Sequence, residues 1–208
     1  MRAKIAAMRW DMSMQRLLTL LARFNSRATT RAPAGRLPAL LVLSDDARGY
    51  SLGDQRARWP SGVAFIERTF GRDVHPHVNT DRSRLRLATC TPRAARKNRL
   101  DGLHWPQKHI GQRRVSATRG LIETTSAHSG LAIAKAARLN FDAILVSTAF
   151  QSDSPSATRP LGAIRLARLQ RAFPRAKLYA LGGITLATTR QLRRTRISGV
   201  ALVSFDGD

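Results

Sequence analysis

Eight short apolar runs spaced along most of this chain constrain its fold more than any other feature: Leu40 to Leu43, Val63 to Glu67, Arg84 to Thr89, Leu100 to His104, Leu121 to Thr125, Ala143 to Ser147, Leu178 to Leu181 and Gly199 to Val203. Each has the length of a strand, and most end in small or polar residues, the pattern of a strand buried on both faces. Helical stretches lie between several of them, clearest in Ser129 to Leu139 and Ala163 to Phe173. The order strand, helix, strand implies parallel pairing, because the helix carries the chain back to the same edge of the sheet. Eight parallel strands at this spacing close a (β/α)8 barrel. The roughly 170 residues available are fewer than the ~250 typical of that architecture, so several helices must be short.

Upstream, Met12, Leu17, Leu18, Leu21 and Phe24 predict an amphipathic helix over 11–24. Asn25 to Pro38, with Ser, Thr, Gly and two prolines, reads as a linker. This gives 1–36 as helix plus linker and 37–208 as the barrel domain. Residues 1–36 are Arg-containing and acid-poor, as organelle transit peptides are. They lack an apolar core followed by a small-residue cleavage site, and an added helix or an overlong start fits them better. The chain stops at Asp208, just after the eighth run, so the last barrel helix is expected to be missing or truncated. The N-terminal helix is expected to cover that side of the wall, with a homodimer as the other way to cover it.

The 36 Lys and Arg residues against 13 Asp and Glu give a formal charge of +23. Such a field draws anions of every kind: phosphorylated metabolites, nucleic acid and anionic membrane surfaces. The arginines are spread over Arg82 to Arg86, Arg93 to Arg99, Arg113 and Arg114, and Arg190 to Arg196, without interleaved aromatics. A solvated basic surface is expected from this rather than a nucleic-acid face. No stretch reaches the ~18 uninterrupted apolar residues of a membrane span. The single cysteine, Cys90, excludes an intrachain disulfide framework, suits a reducing cytoplasm and is expected to pack as a small apolar residue.

In a parallel barrel the ligand sits at the C-terminal ends of the strands. The residues that follow the apolar runs are therefore candidates: Ser44 with Asp45 and Asp46, Arg68, Cys90, His104, Ser126 with His128, the stretch from Ser147 to Ser154 with Ser152 in it, Gly182 with Gly183, and Ser204. The glycine pair is the most specific of these, because backbone without side chains can approach phosphate oxygens closely. His75 and His77 lack a third partner for a metal site.

The stretch from Asp142 to Val203 resembles the thiamine-phosphate synthase and thiazole tautomerase superfamily of TIM barrels. Phe150, Pro160-Leu161-Gly162 and Gly182-Gly183-Ile184 stand in the order and at the separations of its Phe-x-Thr-x-Thr-Lys loop, Pro-Leu-Gly helix start and Gly-Gly-Ile turn. Upstream, Asp101-Gly102-Leu103-His104 with Gln107 resembles its Asp-Gly-Val-His-x-x-Gln, and Ser126-Ala127-His128-Ser129 its Ser-x-His-Ser. The resemblance spans roughly Leu40 to Asp208 and is thin before Asp101. It implies a transferase of thiamine biosynthesis that joins a pyrimidine-methyl pyrophosphate to a thiazole phosphate with magnesium at the leaving group. The same resemblance leaves open a thiazole tautomerase or a catalytically silent barrel that binds a phosphorylated metabolite in a regulatory role.

The resemblance assigns phosphate contacts to Ser126, Ser152, Ser154, Gly182, Gly183 and Ser204, with Arg68 and Arg159 assisting and His128 moving a proton in the tautomerase case. The sequence departs from the pattern at the charged positions. No carboxylate stands near Thr89-Cys90, where the family has Asn-Asp. Lys108 replaces an aspartate, Pro155 the loop lysine and Phe70 a lysine near the second strand. Only Asp45 and Asp46, from a different strand, are left as magnesium ligands.

Overall fold

A computed structural model describes residues 2–25, 37–44, 59, 62–69, 74, 84–152 and 159–203. Its eight strands are β1 (Leu40–Leu43), β2 (Ala64–Glu67), β3 (Leu85–Ala88), β4 (Gly102–Trp105), β5 (Ile122–Ala127), β6 (Ala143–Val146), β7 (Leu178–Leu181) and β8 (Gly199–Leu202). Each pairs in parallel with the next, and β8 returns to β1 through Leu41 opposite Ala201, so the sheet closes into a barrel in sequence order. The expected (β/α)8 barrel is what forms, with every strand inside or within two residues of its apolar run.

Alternation along the strands divides the core in two. Leu41, Leu43, Ala64, Ile66, Leu87, Leu145, Tyr179 and Ala201 pack on one another as the lumen filling of a small barrel. Leu40, Val42, Phe65, Ile144, Val146 and Val200 face the other way, under the helices. The Tyr179 hydroxyl donates to the carbonyl oxygens of Pro38 at 2.9 Å and Leu37 at 3.3 Å. Residue 37, predicted as the start of the barrel domain, thus plugs the N-terminal end of the lumen.

The described connecting helices are short, as the chain length demands: α2 (Pro92–Lys97), a 3-10 turn (Gln107–Gln112), α3 (Val115–Thr118), α4 (Gly130–Arg138), α5 (Gly162–Ala172) and α6 (Leu186–Leu192). Their starts are specified locally. The side chains of Thr91 and Ser129 accept the amides of Ala94 and Ala132, and Thr185 and Thr188 close a capping box on α6.

Helix α1 runs from Arg2 to Asn25 and packs against α6 and β8, on the wall it was expected to cover. Its core face is Met14, Leu17, Leu21 and Phe24, all nearly fully buried. Their spacing of three, four and three keeps them on one stripe. Met12, expected on that stripe, is 50% exposed; Met14 takes its place because it is in phase with Leu17 and Leu21. The helix therefore shares the barrel's outer core.

Two arginines grouped with the basic surface lie inside instead. Arg113 Nε and Nη2 grip Glu123 Oε2 at 2.9 and 2.6 Å, with the two side chains only 10% and 6% exposed. Trp105 Nε1 donates to Oε1 and Thr118 Oγ1 to Oε2 of the same carboxylate. Arg113 also caps the Leu139 carbonyl and lies 4.7 Å over the Phe141 ring. This knot clamps the helical β4–β5 connection onto the outside of β5. Arg86 is 3% exposed; burial lowers its pKa, while Glu67 and Asp101 beside it push the other way. Counting charges cannot reveal either case, because both depend on which strand face meets a covering layer. Among the described residues, no helix is long and apolar enough to cross a membrane.

Candidate active site at the barrel mouth

Four of the expected site residues, Asp45, Asp46, Ser154 and Ser204, lie outside the described residues. Five of the rest, Arg68, Ser126, His128, Gly182 and Gly183, come from the C-terminal ends of β2, β5 and β7. Arg68 follows β2. Its amide donates to Ser44 Oγ at 2.8 Å and its Nε to the Ser44 carbonyl at 2.6 Å, which ties it to the end of β1. Its charge reaches across to His104, where it helps to lower the imidazole pKa.

His104 on β4 and Thr124 and Ser126 on β5 form one polar chain in the lumen. Strand register puts His104 opposite Thr124, so the ring fits between two hydroxyls. Nδ1 lies 2.9 Å from Thr124 Oγ1 and Nε2 lies 2.9 Å from Ser126 Oγ. Thr124 is fully buried and His104 is 3% exposed, whereas Ser126 is half-buried and reaches the mouth. Burial first, and then the Arg68 charge, push the His104 pKa down to about 3, so the ring is neutral at physiological pH.

His128 sits on the exposed rim just past β5, with Nδ1 2.7 Å from Ser147 Oγ at the end of β6. Its amide donates to Gln107 Oε1 at 2.7 Å, which gives the glutamine of the His-x-x-Gln stretch a place: it joins the β4 and β5 loops. The adjoining helix is capped by Ser129, so capping does not explain His128.

Gly182 and Gly183 follow β7 with φ of +97° and +63°. The β6 loop docks directly on this turn: the amides of Ala149 and Phe150 donate to the carbonyls of Leu181 and Gly182 at 2.9 and 3.0 Å. A Cβ on Gly183 would collide with the Gln151 carbonyl and come within 2.8 Å of the Phe150 carbonyl. The glycine is thus required by backbone approach as well as by its left-handed φ. The same loop holds the start of α5, since Leu161 and Gly162 donate to the carbonyls of Thr148 and Ala149. Ser152 is half-buried on this loop, whereas Arg159 is exposed. Ser44 and Ser147, expected among the strand-end candidates, lie at this end of the barrel, as hydrogen-bond partners of Arg68 and His128. Sequence reasoning missed Thr124; the one available signal was a buried strand, Thr124-Thr125-Ser126, whose lumen positions are polar.

Among the described residues no three His, Cys, Asp or Glu side chains gather to hold a metal. The described donors at the mouth are hydroxyls, imidazoles and a guanidinium, which do not fit magnesium's preference for carboxylate and phosphate oxygens. Cys90, at the end of β3, is half-buried. Burial and then Glu67 raise its pKa to about 11, so it is an inert thiol.

The model of a family described as thiamine monophosphate synthase matches residues 91–205. The chain belongs to this family. The match starts at the cap of α2 and takes in β4 to β8, the part of the barrel that carries His104, Ser126, His128 and the glycine turn. No sequence among curated proteins matches the chain. Among solved structures, thiamine phosphate pyrophosphorylase from Pyrococcus furiosus is 17% identical, with a TM-score of 0.60 over 81% of this chain and 86% of that one. A cube-shaped, highly porous protein cage designed by fusing symmetric oligomeric domains is 15% identical, with a TM-score of 0.53 over 84% and 67%. At these identities the structural likenesses speak for the fold.

Proposed function

We propose that the mouth binds the phosphorylated thiazole and pyrimidine esters of thiamine assembly and that the chain is a transferase that joins them. The single observation that carries this reading is the gathering of Arg68, Ser126, His128 and the Gly182-Gly183 turn at one end of a barrel of the thiamine monophosphate synthase family. In the reaction, the C–O bond between the pyrimidine-methyl carbon and its pyrophosphate breaks, and the bonding pair leaves with the pyrophosphate. The thiazole nitrogen then supplies the pair for the new C–N bond. Arg68, held in place by both its amide and its Nε, meets the growing charge of the leaving group with a guanidinium that loses no freedom on binding. The Gly182-Gly183 turn, at the C-terminal end of β7, receives the phosphate of the thiazole partner. Ser152 and Arg159 would close over the esters, and Ser154 and Ser204, which lie outside the described residues, would share the phosphate contacts.

A thiazole tautomerase is the second reading, favoured by the His128–Ser147 pair. It offers a rim imidazole for proton transfer without any metal.

The deciding experiment is turnover of hydroxymethylpyrimidine pyrophosphate with thiazole phosphate by the purified chain, with and without magnesium, read as fluorescence of the oxidised product. Product formation that falls at least tenfold in Arg68→Ala supports the transferase. No product from folded wild-type protein overturns it, and proton exchange on the thiazole that is lost in His128→Ala would then identify the tautomerase. Gly183→Asp is a poor probe, since its side chain would displace the β6 loop whatever the mouth binds.

A further inference from the structure

We infer that His104 is held as the Nδ1–H tautomer and that Ser126 therefore presents a hydrogen-bond acceptor to the mouth, which selects a ligand group bearing N–H or O–H over a phosphate oxygen. The inference rests on the reading of the mouth as the ligand site and specifies the polarity of one position within it.

The argument is a count of protons along the lumen chain. Thr124 has one hydroxyl proton, and its Oγ1 is placed to donate to the Leu103 carbonyl at 3.3 Å. The 2.9 Å contact with His104 Nδ1 is then filled by a proton on Nδ1. A neutral ring protonated at Nδ1 has a lone pair at Nε2. Ser126 Oγ, 2.9 Å from Nε2, must spend its only proton there. All three contacts are satisfied in this arrangement. In the other tautomer Thr124 must turn its proton to Nδ1, the Leu103 contact is lost, and a fully buried group keeps fewer bonds than the geometry offers it. An imidazolium would require a second charge beside Arg68 in a site closed to water, which burial opposes.

The consequence falls on Ser126, the one member of the chain that reaches the mouth. With its proton committed inward, its outward side carries lone pairs. These attract an amino or ring N–H and repel the oxygens of a phosphate. Ser126 is thus a specificity-determining contact for the heterocyclic end of a ligand, and His104 and Thr124 are its positioning residues. The expected phosphate contact of Ser126 is replaced, and the anion is left to Arg68 and the glycine turn.

The test uses the full chain labelled with 15N-histidine, with the His104 signals assigned by their loss in His104→Gln. A pyrrole-type Nδ1 and a pyridine-type Nε2 are expected; the reverse pattern overturns the inference whether or not the mouth binds anything. Binding then reads the consequence. Wild type should take up 4-aminopyrimidine several-fold more tightly than 4-methoxypyrimidine, and Ser126→Ala should remove that preference while leaving inorganic pyrophosphate affinity within twofold. Thr124→Val, which keeps the shape but removes the acceptor for Nδ1–H, should move the proton to Nε2, free the Ser126 proton and erase the amino preference. Pyrophosphate binding weakened by Ser126→Ala as much as by Arg68→Ala would also overturn the inference. Wild type that binds neither pyrophosphate nor either pyrimidine would instead sink the functional reading of the mouth, and the tautomer spectrum would still decide the inference on its own.

Discussion

Lowering the pH should unfold this protein through His104, and the size of the effect follows from its burial. In the unfolded chain its pKa is the ordinary 6.5; in the barrel, closed from water and beside Arg68, it is about 3. Between those values the unfolded state binds a proton that the native state does not. Stability therefore rises with pH across this window and is lost as pH falls from 6.5 towards 3. With the two pKa values inserted, the native state loses about 2 kcal/mol on going from pH 7 to pH 5, and about 1 kcal/mol for each further unit down to the native pKa.

Urea denaturation of the wild type and of His104→Asn, each at about pH 7 and about pH 5, isolates this contribution. The other four histidines are present in both proteins and cancel in the difference. The variant will be less stable at neutral pH, because Thr124 and Ser126 lose a partner, but its stability should change by about 2 kcal/mol less between the two pH values than that of the wild type. Equal pH dependence in the two proteins would refute the reasoning. It would mean that His104 is protonated in the native barrel or reachable by water there.

Other expectations follow from single contacts. Glu123→Ala leaves the Arg113 charge buried without its partner, along with the Trp105 and Thr118 donors, and should cost ~3–5 kcal/mol. A melting point lowered by roughly 10 °C in calorimetry is the expected result; a drop below about 2 °C would show the clamp to be ornamental. Leu17→Ala, at a fully buried position of α1, should cost ~2–5 kcal/mol in denaturant unfolding, whereas a dispensable N-terminal helix would leave the midpoint unmoved. Gly183→Ala should destabilise by ~1–3 kcal/mol and weaken inorganic phosphate binding, because the Gln151 carbonyl must move; urea unfolding and phosphate titration together check it. Cys90 should resist iodoacetamide at mildly alkaline pH in the native state and react on denaturation, as its raised pKa requires; rapid native labelling seen by mass spectrometry would contradict the burial.

What could be read from the chain depends on how local each cause is. Barrel strands are apolar on both faces, so runs such as Leu40 to Leu43 and Ala143 to Val146 announce themselves without any knowledge of their neighbours. Helix α1 was legible from its stripe, although one phase error exchanged Met12 for Met14. The knot around Glu123 was not legible, since Arg113 and Glu123 are ten residues apart and meet only because the connection folds back across β5. His104 and Ser126 were seen one at a time and Thr124 not at all; only the pairing of β4 with β5 makes them a chain.

The same contrast decides which residues carry function. Gly182 and Gly183 were the strongest signature in the sequence, yet the docking of the β6 loop on their turn would require glycine at position 183 even in a barrel that bound nothing. Their presence is first a demand of the fold. The lumen chain has no such explanation. Its neighbours Ile66, Leu87 and Leu145 show that aliphatic side chains fill this barrel, and replacing a satisfied buried polar group by an apolar one of matching shape is often neutral or stabilising. An imidazole kept neutral by burial and two hydroxyls, aligned so that the outermost oxygen alone reaches the mouth, contribute little to packing that leucine or valine would not. Their placement makes sense as preparation of Ser126 for a ligand, and it is the lumen chain, more than the glycine turn, that argues for a working site.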